Sequence, residues 1–215
     1  MLEVKQIAIG PLGTNCHIIT DTDSGETAAV DCALFNEEYQ KFLDDNKIGK
    51  LKYILLTHGH FDHICGVKGL KERCGGLVCI HEEDDIDLSY INHTLGEIEK
   101  SYPHEYCDSD IRVTEDTELS LGEHKIKVMH TPGHTKGSVI YITDGIIFSG
   151  DTLFLGSMGR TDLPGGSMKS MFASLIKIGQ IEGDYVIYPG HGEKTSLAYE
   201  KKFNRFLRSD DFIHR

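Results

Sequence analysis

Short apolar runs separated by turns open the chain, at residues 4–9, 16–20 and 27–31, and they read as strands. Residues 37–46 switch to helical spacing, with Tyr39, Phe42 and Leu43 on one side. Residues 51–56 form a compact apolar run bounded by polar residues, the mark of a buried strand, and lead directly into Thr57-His58. A helix is predicted from about 63 to 73, closed by Gly75-Gly76, with a strand at 77–80. Residues 81–110 are polar and acidic with weak periodicity, and read as a helical insertion or surface excursion that covers a site or meets a second copy. The second half repeats the style of the first. Strands are predicted near 118–121, 125–130, 139–143, 146–149 and 185–188, and helices near 168–179 and 196–207. Strands in two batches, each with helices behind it, predict an α/β chain of two packed sheets with helices outside. No linker, low-complexity tract or short repeat interrupts it, so residues 1–215 are expected to form a single domain.

Composition changes this picture little. Hydrophobic residues at 39% and charged residues at 26% suit a globular chain, and without Trp its core must come from Phe, Tyr and aliphatics. The formal charge of −12, from 22 basic and 34 acidic residues, argues against nucleic-acid binding, where Lys and Arg must replace condensed counterions. An anionic small molecule stays open, because bound divalent cations invert the local potential. The opening MLEVKQIAIG lacks a basic segment followed by a long apolar one, and no apolar run approaches the roughly 18 residues that span a bilayer. The six cysteines, at 16, 32, 65, 74, 79 and 107, include no CxxC pair and are expected to be reduced and mostly buried. A cytoplasmic location, with neither membrane nor nucleic acid as partner, is the expectation.

The chemistry concentrates in Thr57-His58-Gly59-His60-Phe61-Asp62-His63, where His58, His60, Asp62 and His63 offer four ligands at the end of a buried strand. Imidazole nitrogen and carboxylate oxygen suit zinc, iron or manganese without cysteine. A His-rich surface loop is the bland alternative, and the rest of the chain argues against it. Thr131-Pro132-Gly133-His134-Thr135, Ser149-Gly150-Asp151-Thr152 and Pro189-Gly190-His191-Gly192 each follow a predicted strand. Each presents one His or Asp from a glycine-containing turn, where the backbone can bend sharply and approach a metal closely.

In this HxHxDH pattern, followed by a distant His, Asp and His, the chain resembles the metallo-β-lactamase superfamily over nearly its whole length. The resemblance implies a four-layer αββα sandwich with the site at one edge. It implies two divalent metal ions, zinc first and iron or manganese as alternatives. His58, His60 and His134 would hold one metal, Asp62, His63 and His191 the other, with Asp151 bridging. Asp31 matches a family carboxylate that orients ligands, and Thr57 and Thr135 can do similar work through their hydroxyls. His60 favours hydrolysis, since relatives with Glu at that position are di-iron redox proteins. A metal-bridging hydroxide, oriented by Asp62, would attack a carbonyl. A thiolate leaving group, with a thiol pKa of about 8.5, needs little protonation, so thioesters or activated esters are the expected small-molecule substrates.

The segments Gly150-Asp151-Thr152-Leu153-Phe154, Gly159–Gly166 and Pro11-Leu12-Gly13-Thr14-Asn15-Cys16 resemble the short branch akin to glyoxalase II, a hydroxyacylglutathione hydrolase. That enzyme carries an added C-terminal helical domain that helps bind glutathione, whereas only about 24 residues follow His191 here. A mononuclear-iron persulfide dioxygenase, which also has a GRTD segment and uses the equivalents of His58, His134 and Asp151, is the rival reading. A non-catalytic metal-binding module is the rival of another class, opposed by the fact that all seven ligand positions are filled. Arg160 is the candidate outside the ligands, either a fork for a substrate carboxylate or a structural partner of Asp162. Cys65 reads as a buried thiol, and His17, His81, His93, His104, His124, His130 and His214 have no ligand spacing.

Overall fold

The first sheet of the computed structural model, which describes residues 1–85, 102 and 107–208, has its strands in chain order. They are β1 (Leu2–Ile9), β2 (Thr14–Asp21), β3 (Thr27–Val30), β4 (Tyr53–Leu55), β5 (Leu77–His81) and β6 (Ile111–Val113). β1, β2 and β3 are antiparallel neighbours, whereas β3 to β6 run parallel. The second sheet is built from β7 (Leu119–Leu121), β8 (His124–His130), β9 (Val139–Thr143), β10 (Ile146–Gly150), β13 (Val186–Pro189) and β14 (Thr195–Ser196). Its order is β14-β13-β10-β9-β8-β7, with β10 and β13 parallel. A small hairpin, β11 (Leu153–Phe154) with β12 (Ser157–Met158), follows β10.

Two-residue periodicity assigns each strand's side chains to two cores. Ile18, Ala29, Ile54, Val78 and Ile80 face outward onto α1 (Glu37–Asp45) and α3 (Val67–Cys74), meeting Tyr39, Leu43 and Leu70. Their neighbours Ile19, Ala28, Val30, Tyr53, Leu55 and Cys79 face inward and pack on Val128, Val139, Tyr141 and Phe148 of the second sheet. On that sheet's far side Ile140, Ile142, Ile147 and Ile187 meet Met171, Leu175 and Leu197 of α5 (Met168–Gly179) and α6 (Leu197–Phe203). Helix, sheet, sheet and helix form the four-layer αββα sandwich. Each fully buried Leu or Ile contributes roughly 1.5–3 kcal/mol.

Helix starts follow their caps: the side chains of Asn36, Ser167 and Ser196 accept from Tyr39, Ser170 and Tyr199 backbone N–H groups. The helix expected over 63–73 is instead two, α2 (Phe61–Ile64) and α3. The break lies where Cys32 N–H donates to the His63 carbonyl and Gly66 N–H to the Cys32 carbonyl, tying the chain to the segment after β3. The last helix ends earlier than expected because Asn204 is extended and turns its amide back to Glu200 Oε2 and the Ser157 carbonyl. The strands β6, β11, β12 and β14, of two or three residues, carry too little pattern to be read from sequence. Of the 81–110 segment, α4 (Glu82–Asp85), Tyr102 and residues 107–110 are described, while residues 86–101 and 103–106 lie outside the described residues, as do His93, His104 and His214. No helix among the described residues is long and apolar enough to cross a membrane.

A side-chain bond helps tie the sheets together beside the His58 loop. The buried Tyr141 hydroxyl of β9 donates to the Leu56 carbonyl at 2.9 Å. Tyr141→Phe leaves that carbonyl unpaired, and should lower the unfolding free energy by about 1–3 kcal/mol. Urea denaturation, with the midpoint shifted and the slope unchanged, is the measurement.

Candidate metal centre

Four strand ends meet at one edge of the sandwich. β4 leads through Leu56-Thr57 to His58 and His60, and α2 then carries Asp62 and His63. β8 leads to His134, β10 to Asp151 and β13 to His191. β8, β10 and β13 run in the same direction, so their carboxyl ends open on one side, as ligand-bearing loops of α/β sheets do. Close approach needs glycine at Gly190, where a Cβ would collide with Asp151 Oδ1 and lie 2.7 Å from His63 Cε1.

The seven side chains converge. His58 Nε2 is 3.1 Å from His60 Nδ1, and the His58 and His134 rings are 4.8 Å apart. Asp62 Oδ2 lies 3.6 Å from His63 Nε2 and 3.3 Å from His191 Nε2. Asp151 reaches both groups, with Oδ1 3.5 Å from His63 Nε2 and Oδ2 3.5 Å from both His134 Nε2 and His191 Nε2. Three sets therefore bring ligand atoms within 4.8 Å of one another: His58, His60 and His134; His58, His63 and Asp151; Asp62, His63 and His191. Tetrahedral coordination with bonds of about 2.0–2.2 Å separates ligand atoms by roughly 3.3–3.6 Å, close to these spacings. Among the described residues, the buried His63 Nε2, His134 Nε2 and Asp151 Oδ1 have no hydrogen-bond partner. Buried nitrogen and oxygen atoms left unpartnered and facing one another are what a cation site would satisfy. The cluster is able to bind metal ions.

Outer groups fix which nitrogen each ring offers. His63 Nδ1 donates to Asp31 Oδ2 at 2.8 Å, and His134 Nδ1 donates to the Arg160 carbonyl at 2.7 Å. Thr57 Oγ1 donates to Asp31 Oδ2 at 2.8 Å and lies 3.1 Å from His58 Nδ1, from which it accepts. These bonds direct three Nε2 atoms into the centre. Asp31 sits at φ 57, a left-handed conformation that Asp tolerates better than most residues, and its Oδ1 also accepts from Thr57 N–H. Two supports were not legible in the sequence. Thr14 Oγ1 donates to Asp62 Oδ2 at 3.0 Å. Asn15 N–H donates to the Gly190 carbonyl, while its amide donates to the carbonyls of Pro189 and Gly192, each at 2.9 Å, clamping the turn that carries His191.

Electrostatics divide the cluster in two. Burial and neighbouring imidazoles hold His58 well below the ordinary histidine range, and burial with His134 lowers His60 to about 3. Burial opposes charge on His63 as well, yet Asp62, Asp151 and Asp31 outweigh it and lift this histidine to about 10. His191 is raised despite its own burial, by the hydrogen bond to Asp62 and by Asp151. Burial of Asp62 is likewise overcome by His63 and His191, which keep its carboxyl below the usual range. His58 and His60 thus offer neutral lone pairs, whereas His63 and His191 draw in positive charge.

Arg160 stands apart from the seven. Its guanidinium pairs with Asp162 through two bonds of 2.8 Å and is half exposed, although its charge is felt at His60. Its backbone carbonyl, not its side chain, touches the cluster. Cys65 is buried against Phe61 and Tyr102. Cys16, Cys32, Cys74 and Cys79 are also buried and Cys107 half-buried, none of them in a disulfide. His81 and His130 stack at 4.1 Å, His124 pairs with Asp144, and His17 is buried beside Phe148 and Tyr188.

Comparison with known proteins agrees with this geometry. A family model described as the metallo-beta-lactamase superfamily matches residues 9–191. Hydroxyacylglutathione hydrolase GloC of Haemophilus influenzae is 30% identical, over 97% of this chain and 99% of its own. Among solved structures, the BLEG-1 B3 metallo-beta-lactamase superposes with a TM-score of 0.84 at 32% identity, covering 95% of this chain and 99% of that one. TTHA1623, solved in a di-iron-bound form, superposes with a TM-score of 0.83 at 30% identity, covering 94% and 99%. Fold, cluster and family model together identify the chain as a member of the metallo-beta-lactamase superfamily.

Proposed function

We propose that this chain is a binuclear metal-dependent hydrolase that cleaves small-molecule thioesters of the hydroxyacylglutathione type. The observation that carries the reading is Asp151, whose two oxygens stand 3.5 Å from ligand nitrogens of both halves of the cluster. In it His58, His60 and His134 would hold one divalent cation and Asp62, His63 and His191 would hold the other. Zinc is preferred, and iron or manganese also suits nitrogen and oxygen donors. Bound there, the cations would lower a water's pKa from 15.7 to about 7 and polarise the carbonyl under attack. Asp62, kept ionised and steadied by Thr14, would orient the attacking water by accepting its hydrogen bond. A leaving thiolate needs no general acid, so no further proton donor is required. The end-to-end likeness to a hydroxyacylglutathione hydrolase supports that substrate class.

Metal content of protein purified without added metal, measured beside a panel of S-lactoylglutathione, other thioesters and β-lactams, tests the reading. Two metals per chain with thioester cleavage are expected. One iron per chain, with oxygen uptake on glutathione persulfide and no thioester cleavage, would replace it with the dioxygenase reading.

His58→Ala and Asp151→Ala should each reduce kcat/KM by more than about 100-fold, the upper end of what losing an outer partner alone costs. Their circular dichroism should stay close to that of the parent. Unchanged rates in both would sink the ligand assignment. Proton release gives an independent check, because a cation binding beside Asp62 must displace the proton that the carboxylates hold on His63. Affinity should therefore rise with pH. Calorimetry of Zn2+ binding in buffers of different ionisation enthalpy should report proton release, reduced in His63→Gln. Arg160 enters the reading as a fork for a substrate carboxylate, displacing Asp162 from an exposed and easily exchanged pair. Arg160→Ala should then raise KM several-fold while kcat changes less than twofold; an equal fall in kcat would assign it a different role.

A further inference from the structure

Asp84, in the four-residue helix α4, is buried although it carries a carboxylate, and among the described residues its three hydrogen-bond partners are all donors. Its Oδ2 accepts from Gly59 N–H at 2.9 Å and from the Thr135 hydroxyl at 2.7 Å, and its Oδ1 accepts from Gly137 N–H at 2.7 Å. Gly59 lies between His58 and His60, and Thr135 follows His134. Asp84 therefore joins the two loops that supply the three-histidine half of the centre, loops that belong to different sheets. Both loops are shaped for it. A Cβ on Gly137 would lie 2.6 Å from Asp84 Cγ, and one on Gly59 would lie 3.1 Å from the Asp84 carbonyl oxygen. Thr135 is held in turn, its N–H donating to Ser138 Oγ at 3.0 Å while the two hydroxyls meet at 2.6 Å. With Thr135 donating to Asp84, the Ser138 hydroxyl is left to donate to Thr135 Oγ1.

Asp84 makes none of these bonds to Asp62, His63 or His191. That half is steadied by Asp31, Thr14 and Asn15. We infer that Asp84 is a positioning residue of the three-histidine half alone, fixing His58 and His60 relative to His134, whereas Asp31 reaches both halves, directly at His63 and through Thr57 at His58. The inference rests on the two-cation reading above. Charge and shape both enter. A carboxylate can accept from all three donors at once, whereas an amide must turn its NH2 toward at least one of them.

Cobalt titration followed by d–d absorption tests this in the full chain, using Asp84→Asn, Thr135→Val and Thr135→Ser. The parent should bind two Co2+ per chain. Asp84→Asn should weaken one of the two binding steps by about 10- to 100-fold, the cost of losing an outer partner, and change the other less than twofold. Thr135→Val should weaken the same step, and Thr135→Ser, which keeps the hydroxyl, should restore it. Thermal melts of the metal-free proteins control for folding, and amide exchange at Gly59 and Gly137 should speed up in Asp84→Asn. Two Co2+ bound by Asp84→Asn with parental affinities, or both steps weakened alike, would overturn the inference and leave the two-cation reading standing. A parent that takes up no Co2+ would overturn both.

Discussion

The buried carboxylate of Asp31 is the interaction on which the rest of the centre depends. Placed at the end of β3 in a left-handed conformation, it accepts from Thr57 N–H, from the Thr57 hydroxyl and from His63 Nδ1. Through Thr57 it also sets His58. One side chain thus orients a histidine from each half of the cluster, and it does so from a neighbouring strand of the same sheet. Nearly all of its acceptor capacity is used within the fold, which is how a carboxylate can be buried at a tolerable cost.

The sandwich makes that arrangement possible. Parallel pairing of β3 with β4 brings Asp31 beside Thr57, and Asp31 N–H donates to the Leu55 carbonyl at 3.0 Å. Packing of the inward faces then brings the ends of β8, β10 and β13 against the same edge. The inner core contains no part of the cluster; it fixes the distance between the sheets, and so the distance between His58 and His134. Bonds that cross the gap, from Val139 N–H to the Thr57 carbonyl and from Tyr141 to the Leu56 carbonyl, lie next to the ligand loops. These cross-sheet bonds stand beside the loops that set the spacing of the clustered side chains.

Much of this was legible because it is local. Strands followed by glycine turns carrying one His or Asp can be read from a few residues, and the two-batch strand pattern leads to two sheets. What was hidden depends on residues far apart in the chain. Asn15 holds a turn at Pro189–Gly192, and nothing at either position predicts the other. Asp84 lies in a stretch whose periodicity is weak, so its burial appears only once Gly59 and Gly137 close over it. The helix expected over 63–73 breaks at Cys65-Gly66 because the chain bonds to Cys32, a contact no helical pattern encodes. Arg160 drew attention for its guanidinium, and the group it brings to the cluster is its carbonyl.

Charge explains why the two halves differ. Asp31, Asp62 and Asp151 surround His63, and without a compensating cation three largely buried carboxylates would be strongly unfavourable. The response is visible in the histidines: His63 and His191 hold protons more tightly than usual, while His58 and His60 give theirs up. Protons on one side therefore occupy the electrostatic place that a divalent ion would take. His58 and His60, both held low, would depend on geometry alone to be ready ligands, and His134 stands beside them. Their support must accordingly come from bonds that align rings and loops rather than from charge, and that is the work of Thr57, the Arg160 carbonyl and the bonds made by Asp84.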